Sequence, residues 1–194
     1  MSIKCFFIEP TGMEYRYLRR YSDLYVNKTH YHDAMIFLDI VPDVNEPSGD
    51  NIWPREDERW SKECSCGYKF EEKDHWQLFH RSQYIDKSTG KLYTLQEAPE
   101  GAMWYADWYP EEWRGPDGHS LVVKVPNNYD WLVDEVASNC TKPRDKSHRC
   151  WIRHGVPPNI TVSKEGGNTC SAGGGSILTD TWHGFLRNGF LVET

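Results

Sequence analysis

The chain has 194 residues and a formal net charge of -7, with an isoelectric point near 5.6. That length bounds a single domain, and the acidic balance argues against a general nucleic-acid binder. Hydrophobic residues are only 38%, yet aromatics reach 14%, and rings that each carry ~150–250 Å² argue against disorder.

Few aliphatics and many rings predict a core broken into small clusters between loops, a kind of fold that a metal staple helps. In chain order, "KCFFIEP" and "DAMIFLDIVP" are short, bulky and Pro-terminated, and both read as strands. "YRYLRRY" between them alternates well enough to be a third, with Arg16, Arg19 and Arg20 read as a solvated strand face. Residues 1–45 thus form an N-terminal β section. The Pro/Asp/Asn/Glu-rich stretch from Pro42 to Trp60 reads as a loop, here bounded as 46–60. Residues 61–194 read as a β-rich core, all within one domain.

After "ECSCGYKF", the run from Glu71 predicts a short helical turn and then a hairpin closed near Ser88-Thr89-Gly90. "EAPEGAMWYADWYPEEW" predicts a short helix with Pro99 in its first turn and Trp104 and Trp108 on one face. "SLVVKVPNNYDWLVD" reads as two strands joined through Asn127-Asn128, residues that tolerate positive φ. "HRCWIRHG" and "NITVSK" flank Val156-Pro157-Pro158 as another hairpin, and "WHGFLRNGFL" supplies a last strand. The expected fold class is mainly β or α+β, with small antiparallel sheets, hairpins and long loops.

The first ten residues lack the apolar core and cleavage site of a signal peptide, and no apolar run approaches the ~20 residues that span a bilayer. The expectation is a soluble intracellular protein with no membrane partner. In a reducing compartment its six cysteines read as thiols or metal ligands, and neighbours in a C-x-C rarely bridge each other. Cys64 and Cys66 offer one half of a tetrahedral zinc site, with Gly67 letting the chain turn so that N–H groups face the thiolates. "NCTKPRDKSHRCW" offers Cys140, His148 and Cys150 as the other half. The first choice of ligands is Cys64, Cys66, Cys140 and His148, and the alternative brings in Cys150. Cys5 and Cys170 read as core residues. Zinc closed by four protein ligands would be structural, its binding energy becoming folding energy, on the order of 10 kcal/mol in zinc peptides.

These residues also carry a resemblance. "CSCGYKF", "DHWQLF", "GAMWYADW", "GPDGHSLVVKVPN", the long block from Ser138 to Ile177 and "WHGFLRNG" resemble a protein family of actinobacterial bacteriophages whose members are usually labelled hypothetical. The resemblance runs over about residues 1–190. Ser163 and Gly174 depart from the family pattern, and neither is a proposed ligand. More distantly, C-x-C-G followed by a Cys and an "SH…WIR" strand is similar to a bacterial zinc-binding family of unknown function. Some of its members have been guessed to be peptidases. There the spacing from His to "WIR" differs by one residue, which keeps Cys150 beside His148. The resemblance implies a phage origin, in the host cytoplasm or the virion, and supports zinc. It brings no established activity.

Asp134, Ser138, Asn139, Arg153, His154, Lys164, Ser176 and His183 are polar residues of the C-terminal half from which a hydrolase could be assembled. The plainer expectation is that Arg153 pairs with a carboxylate and the histidines are satisfied hydrogen-bonders. The Gly-dense "GGNTCSAGGG" lacks the Lys-Ser/Thr of a phosphate loop. In "MWYADWYPEEW", Tyr105, Tyr109 and Trp113 are the rings expected at a surface, where they would bind a protein partner. The reading is therefore a zinc-stapled, non-enzymatic binding module contacting a host or phage protein. A virion structural protein and a zinc-dependent, peptidase-like hydrolase are the alternatives.

Overall fold

The computed structural model describes residues 2–27, 30–43, 47–137, 139–145, 147–165, 170, 175–180 and 182–194. Its strands are β1 (Ser2–Lys4), β2 (Phe6–Phe7), β3 (Glu9–Asn27), β4 (His30–Pro42), β5 (Gly49–Asp50), β6 (His75–Asp86), β7 (Lys91–Tyr93) and β8 (Ala102–Tyr105). They continue as β9 (Leu121–Val125), β10 (Tyr129–Leu132), β11 (Ile152–Val156), β12 (Asn159–Ser163), β13 (Ile177–Leu178), β14 (His183–Arg187) and β15 (Phe190–Glu193). The fold is mainly β, built from small, largely antiparallel sheets in which β2 pairs with β8 in parallel. The short helix expected after Pro99 does not form. Ala102–Tyr105 is instead a strand between β2 and β9, and only Glu111–Trp113 makes a 3-10 turn. Sheet pairing overrides local helix preference there, because Ala102, Met103 and Trp104 are all buried.

Contacts cluster into two compact units, Pro10–Tyr84 and Met1–Glu9 with Ile85–Thr194. In the first, β4-β3-β6-β5 form one sheet around Leu18, Trp60 and Leu78. Arg16 faces Asp39 directly across β3 and β4 and grips it with two hydrogen bonds of 2.7 and 2.6 Å. Arg20 differs from the solvated arginine expected. It is buried, its guanidinium lies 3.6 Å from the Trp76 ring centroid, and it donates to the carbonyls of Ser61 and Glu71. Two backbone carbonyls and a ring face offset the cost of burying this cation, although its Nε has no hydrogen-bond partner.

In the second unit, β1-β15-β14-β13 and β10-β9-β8-β2 form two four-stranded sheets, and β11-β12 a separate hairpin. Leu121, Val123, Val125, Ile160, Leu186 and Leu191 build the main core with Met103 and Trp131. Each such aliphatic contributes roughly 1.5–3 kcal/mol by leaving water. The β9-β10 turn matches its expectation, with Asn127 at φ 67 and Asn128 at φ 57. The hairpin into β7 closes where Asp86 accepts from the Ser88 N–H and both the Ser88 and Thr89 hydroxyls. The Pro157-Pro158 hairpin and the C-terminal strands also form.

Arg153 on β11 ties the loops of this unit together. Its side chain is 3% exposed. It donates to Asp134 at 2.9 Å, to both oxygens of Asp117 at 3.0 and 2.7 Å, and to the His119 carbonyl. Gly115 lies against the guanidinium so closely that a Cβ there would sit 1.8 Å from an Arg153 nitrogen. Burial pushes the Asp134 carboxyl up despite Arg153, whereas at Asp117 the arginine outweighs burial and holds the carboxyl down. Replacing Arg153 with Met leaves Asp134 buried without its counter-ion. The expected loss is about 3–5 kcal/mol in urea denaturation at pH 7.

Candidate metal centres

The structure gathers the five expected ligands into two groups rather than one, and adds a residue to each. Cys140, His148, Cys150 and Cys170 have ligand atoms within 4.8 Å of one another, and so do His32, Cys64 and Cys66. The first group belongs to the unit that contains β7–β15, the second to Pro10–Tyr84.

Local chemistry builds the first group. Asp145 makes a turn in which its backbone N–H bonds the Lys142 carbonyl and its own carbonyl accepts the His148 N–H. This returns the chain so that the His148 Nε2 lies 3.3 Å from the Cys140 Sγ and 3.3 Å from the Cys150 Sγ. His148 and Cys150 precede β11 rather than lying on a strand as expected, and both are buried. Cys170, read from sequence as a core residue, points its Sγ to within 3.8 Å of the Cys150 Sγ. Its carbonyl accepts from the Lys164 ammonium at 3.0 Å. The backbone N–H groups of Ala137 and Lys142 point at the sulfurs of Cys150 and Cys140, both at 3.2 Å. N–H groups aimed at sulfur are the outer partners that thiolate ligands use.

These spacings fit a tetrahedral ion. Zn–S bonds of about 2.3 Å and Zn–N bonds of about 2.0–2.1 Å separate sulfurs by roughly 3.7–3.8 Å and nitrogen from sulfur by roughly 3.5 Å. Without a cation, burial pushes the Cys150 thiol up to about 12, so the group would be neutral. Four protein donors leave no place for a water, which favours a structural role.

The second group sits on a tight loop. The Gly67 N–H bonds the Cys64 carbonyl and the Cys64 N–H bonds the Tyr68 carbonyl, with Gly67 at φ 85. Arg20 holds both ends of this loop, at Ser61 and Glu71. Asp74 accepts from the Glu71 N–H at 2.7 Å and the Tyr68 hydroxyl at 3.2 Å, and the Tyr68 ring stacks on His32 at 4.2 Å. The His32 Nδ1 is 3.0 Å from the Cys66 Sγ and 3.7 Å from the Cys64 Sγ. Contrary to expectation, Cys64 and Cys66 are joined as a disulfide, their Cα atoms 5.4 Å apart. The Gly67 turn brings the two side chains to one side of the loop. His32 was missed in the sequence because it lies 32 residues before Cys64, on a different strand. Only the pairing of β4 with β3 shows where it comes to rest.

The other expected residues separate. Tyr105 is half-buried, not a surface ring: its hydroxyl donates to Asp117 and its ring stacks on His119. Burial and the Asp117 bond push its hydroxyl up to about 12. Trp104 is buried and Trp108, expected beside it, is 62% exposed. Trp108 and Tyr109 are exposed and Trp113, expected at the surface, is half-buried; the three rings form a ladder with centroids 6.0 and 5.6 Å apart. Of the C-terminal polar residues, the His183 Nε2 lies 3.0 Å from the Ser176 Oγ, beside a cavity of about 510 Å³ also lined by Asn139, Trp131 and Trp151. His154 pairs with Ser163, and Ser138 lies outside the described residues. No helix among the described residues is long and apolar enough to cross a membrane. The chain matches no protein-family model, no curated protein and no solved structure.

Asp74 generates a pH prediction. Burial pushes its carboxyl up, but the Glu71 N–H and the Ser22 and Tyr68 hydroxyls outweigh burial and hold it net below the usual carboxylate range. A depressed carboxylate contributes stability that is complete above its unfolded value, near pH 4, and lost as pH falls through its folded value. Urea midpoints measured from pH 7 down to pH 2.5 are expected to fall less steeply in Asp74→Asn than in the native chain.

Proposed function

We propose that this protein is a zinc-stapled binding module in which Cys140, His148, Cys150 and Cys170 hold one structural Zn²⁺. The observation that carries the reading is the convergence of three sulfurs and one imidazole at spacings of 3.3 and 3.8 Å. Soft thiolates with imidazole select zinc over calcium or magnesium, which take oxygen ligands. The staple would hold Cys140, Cys150 and Cys170 together, which among the described residues pack in a small satellite cluster with Ala137 and Trp151. The proposed partner is a host or virion protein, met in the host cytoplasm as the phage resemblance implies. The proposed contact is the ladder of Trp108, Tyr109 and Trp113, rather than the Tyr105, Tyr109 and Trp113 set read from sequence. Aromatic rings concentrate binding energy at interfaces because they bring large area with few rotatable bonds.

A hydrolase is the second reading, favoured by the Ser176–His183 pair beside its cavity and by Thr194, whose hydroxyl lies 3.3 Å from the His183 Nδ1. A nucleophile, a base and an orienting group are the parts such chemistry uses. Here a hydroxyl stands where a carboxylate would stabilise an imidazolium better, and the binding module remains the first reading.

Elemental analysis and zinc-edge X-ray absorption on the untagged protein, with Cys64 and Cys66 joined as a disulfide, test the staple. The expected result is a zinc with an S₃N shell that disappears in Cys170→Ser, together with a fall in thermal midpoint. A shell containing bound oxygen, or full zinc retention in that variant, overturns it. For the contact, Trp108→Ala with Tyr109→Ala is expected to weaken capture of the partner at least tenfold while leaving the thermal midpoint unchanged.

A further inference from the structure

We propose that His32, Cys64 and Cys66 form a second, separate metal site that binds Zn²⁺ only while the two thiols are reduced, and releases it when they join. The proposal rests on three observations that do not involve the Cys140 group. First, three soft donors meet from two elements. His32 comes from β4 and the thiols from the Ser61–Glu71 loop, with the Nδ1 at 3.0 and 3.7 Å from the sulfurs. Second, this loop is held from outside the donors. Arg20 fixes its ends, Asp74 its middle, and Tyr68 stacks on the imidazole. Third, the same two sulfurs are close enough to bond each other.

A pair of sulfurs that can either chelate or bond can serve only one state at a time. In the reduced state both thiols lose their protons to bind the ion, and neutral His32 supplies the third donor, leaving the fourth position to water or an outside ligand. Cys66 is exposed and Cys64 buried, so an outside reagent meets Cys66 first. With a small-molecule disulfide as oxidant, the Cys66 thiolate attacks one of its sulfurs and expels the other half as a thiolate. The Cys64 thiolate then attacks Cys66 in this mixed disulfide and expels the second half. The Cys64–Cys66 bond forms and the reagent's S–S bond breaks. Two electrons pass from the protein to the reagent, and the zinc ion leaves with only His32 to hold it. In the Cys140 group three of the four donors, His148, Cys150 and Cys170, are buried and Cys140 is half-buried, so it keeps its ion through the same exposure.

The full-length protein, reduced and loaded with Zn²⁺, is challenged with oxidised glutathione while a chromogenic chelator reads released zinc. Intact and peptide masses read the thiols. The expected result is release of one zinc equivalent, matched by loss of two hydrogens mapping to Cys64 and Cys66. His32→Ala is expected to weaken this site by more than the roughly 10–100-fold that outer-shell changes cost, without touching the other equivalent. Cys64→Ser is expected to remove the releasable equivalent altogether. The proposal is overturned if the reduced native chain and Cys64→Ser hold the same zinc, or if oxidation forms the bond and frees none. Cys170→Ser run in parallel separates the two readings: it removes the retained equivalent if the staple is right, and leaves the releasable one in either case.

Discussion

Two buried guanidiniums, Arg20 and Arg153, each tie loops within their own unit, and the loop that Arg20 ties carries Cys64 and Cys66. Each stands where an aliphatic chain would have used a larger core. Arg20 spans Ser61 and Glu71, the two ends of the thiol loop, and lies against Trp76 and Phe70. Arg153 spans Asp134, Asp117 and the His119 carbonyl. Such clamps gain less net energy than apolar packing, because each charge is taken out of water. They are more directional, since a guanidinium fixes the positions of several acceptors at once. Lys124 repeats the device, its buried ammonium reaching the Leu95 carbonyl and Asp130.

This explains how a chain of such low hydrophobic content orders its thiols. The main aliphatic core serves the sheets around β9 and β15. Among the described residues, Cys140 packs in a small satellite with Ala137 and Trp151, and the Cys64 loop is held mainly by Arg20, Asp74 and ring stacking. Loops with so little apolar contact would otherwise open locally. Clamps answer that shortage, and in the thiol loop the residue that fixes both ends, Arg20, is not one of the candidate donors.

Much of the fold could be read from the sequence because hairpins carry local signals. Asn127-Asn128 names its own turn, and the alternation in Tyr15–Tyr21 marks a strand whatever pairs with it. The stretch after Pro99 could not be read this way. Whether "AMWY" becomes helix or strand depends on β2 and β9 lying on either side, and β2 is nearly a hundred residues away. The thiols show the same divide. The Cys140, His148 and Cys150 cluster is local and was legible as donors. Cys170 looked like a core thiol because a buried ligand and a buried hydrophobe have the same sequence appearance. The partner of Cys64 and Cys66 is hidden for a different reason: the sequence offers two half-sites whose joining fills four places, while His32 lies on a distant strand.

The two groups also differ in a way that bears on what each can do. Cys150 and His148 are buried, and backbone N–H groups fix the sulfurs of Cys140 and Cys150. With three of its four donors buried, an ion there would be reached mainly when the loop opens, which ties exchange to local unfolding. Cys66 is exposed beside a half-buried imidazole, and an ion there meets solvent directly. Burial, rather than donor type, separates a staple from a responsive site, since the donors are thiolate and imidazole in both. The enclosed group is suited to holding the fold constant, and the open one to changing its state without unfolding what surrounds it.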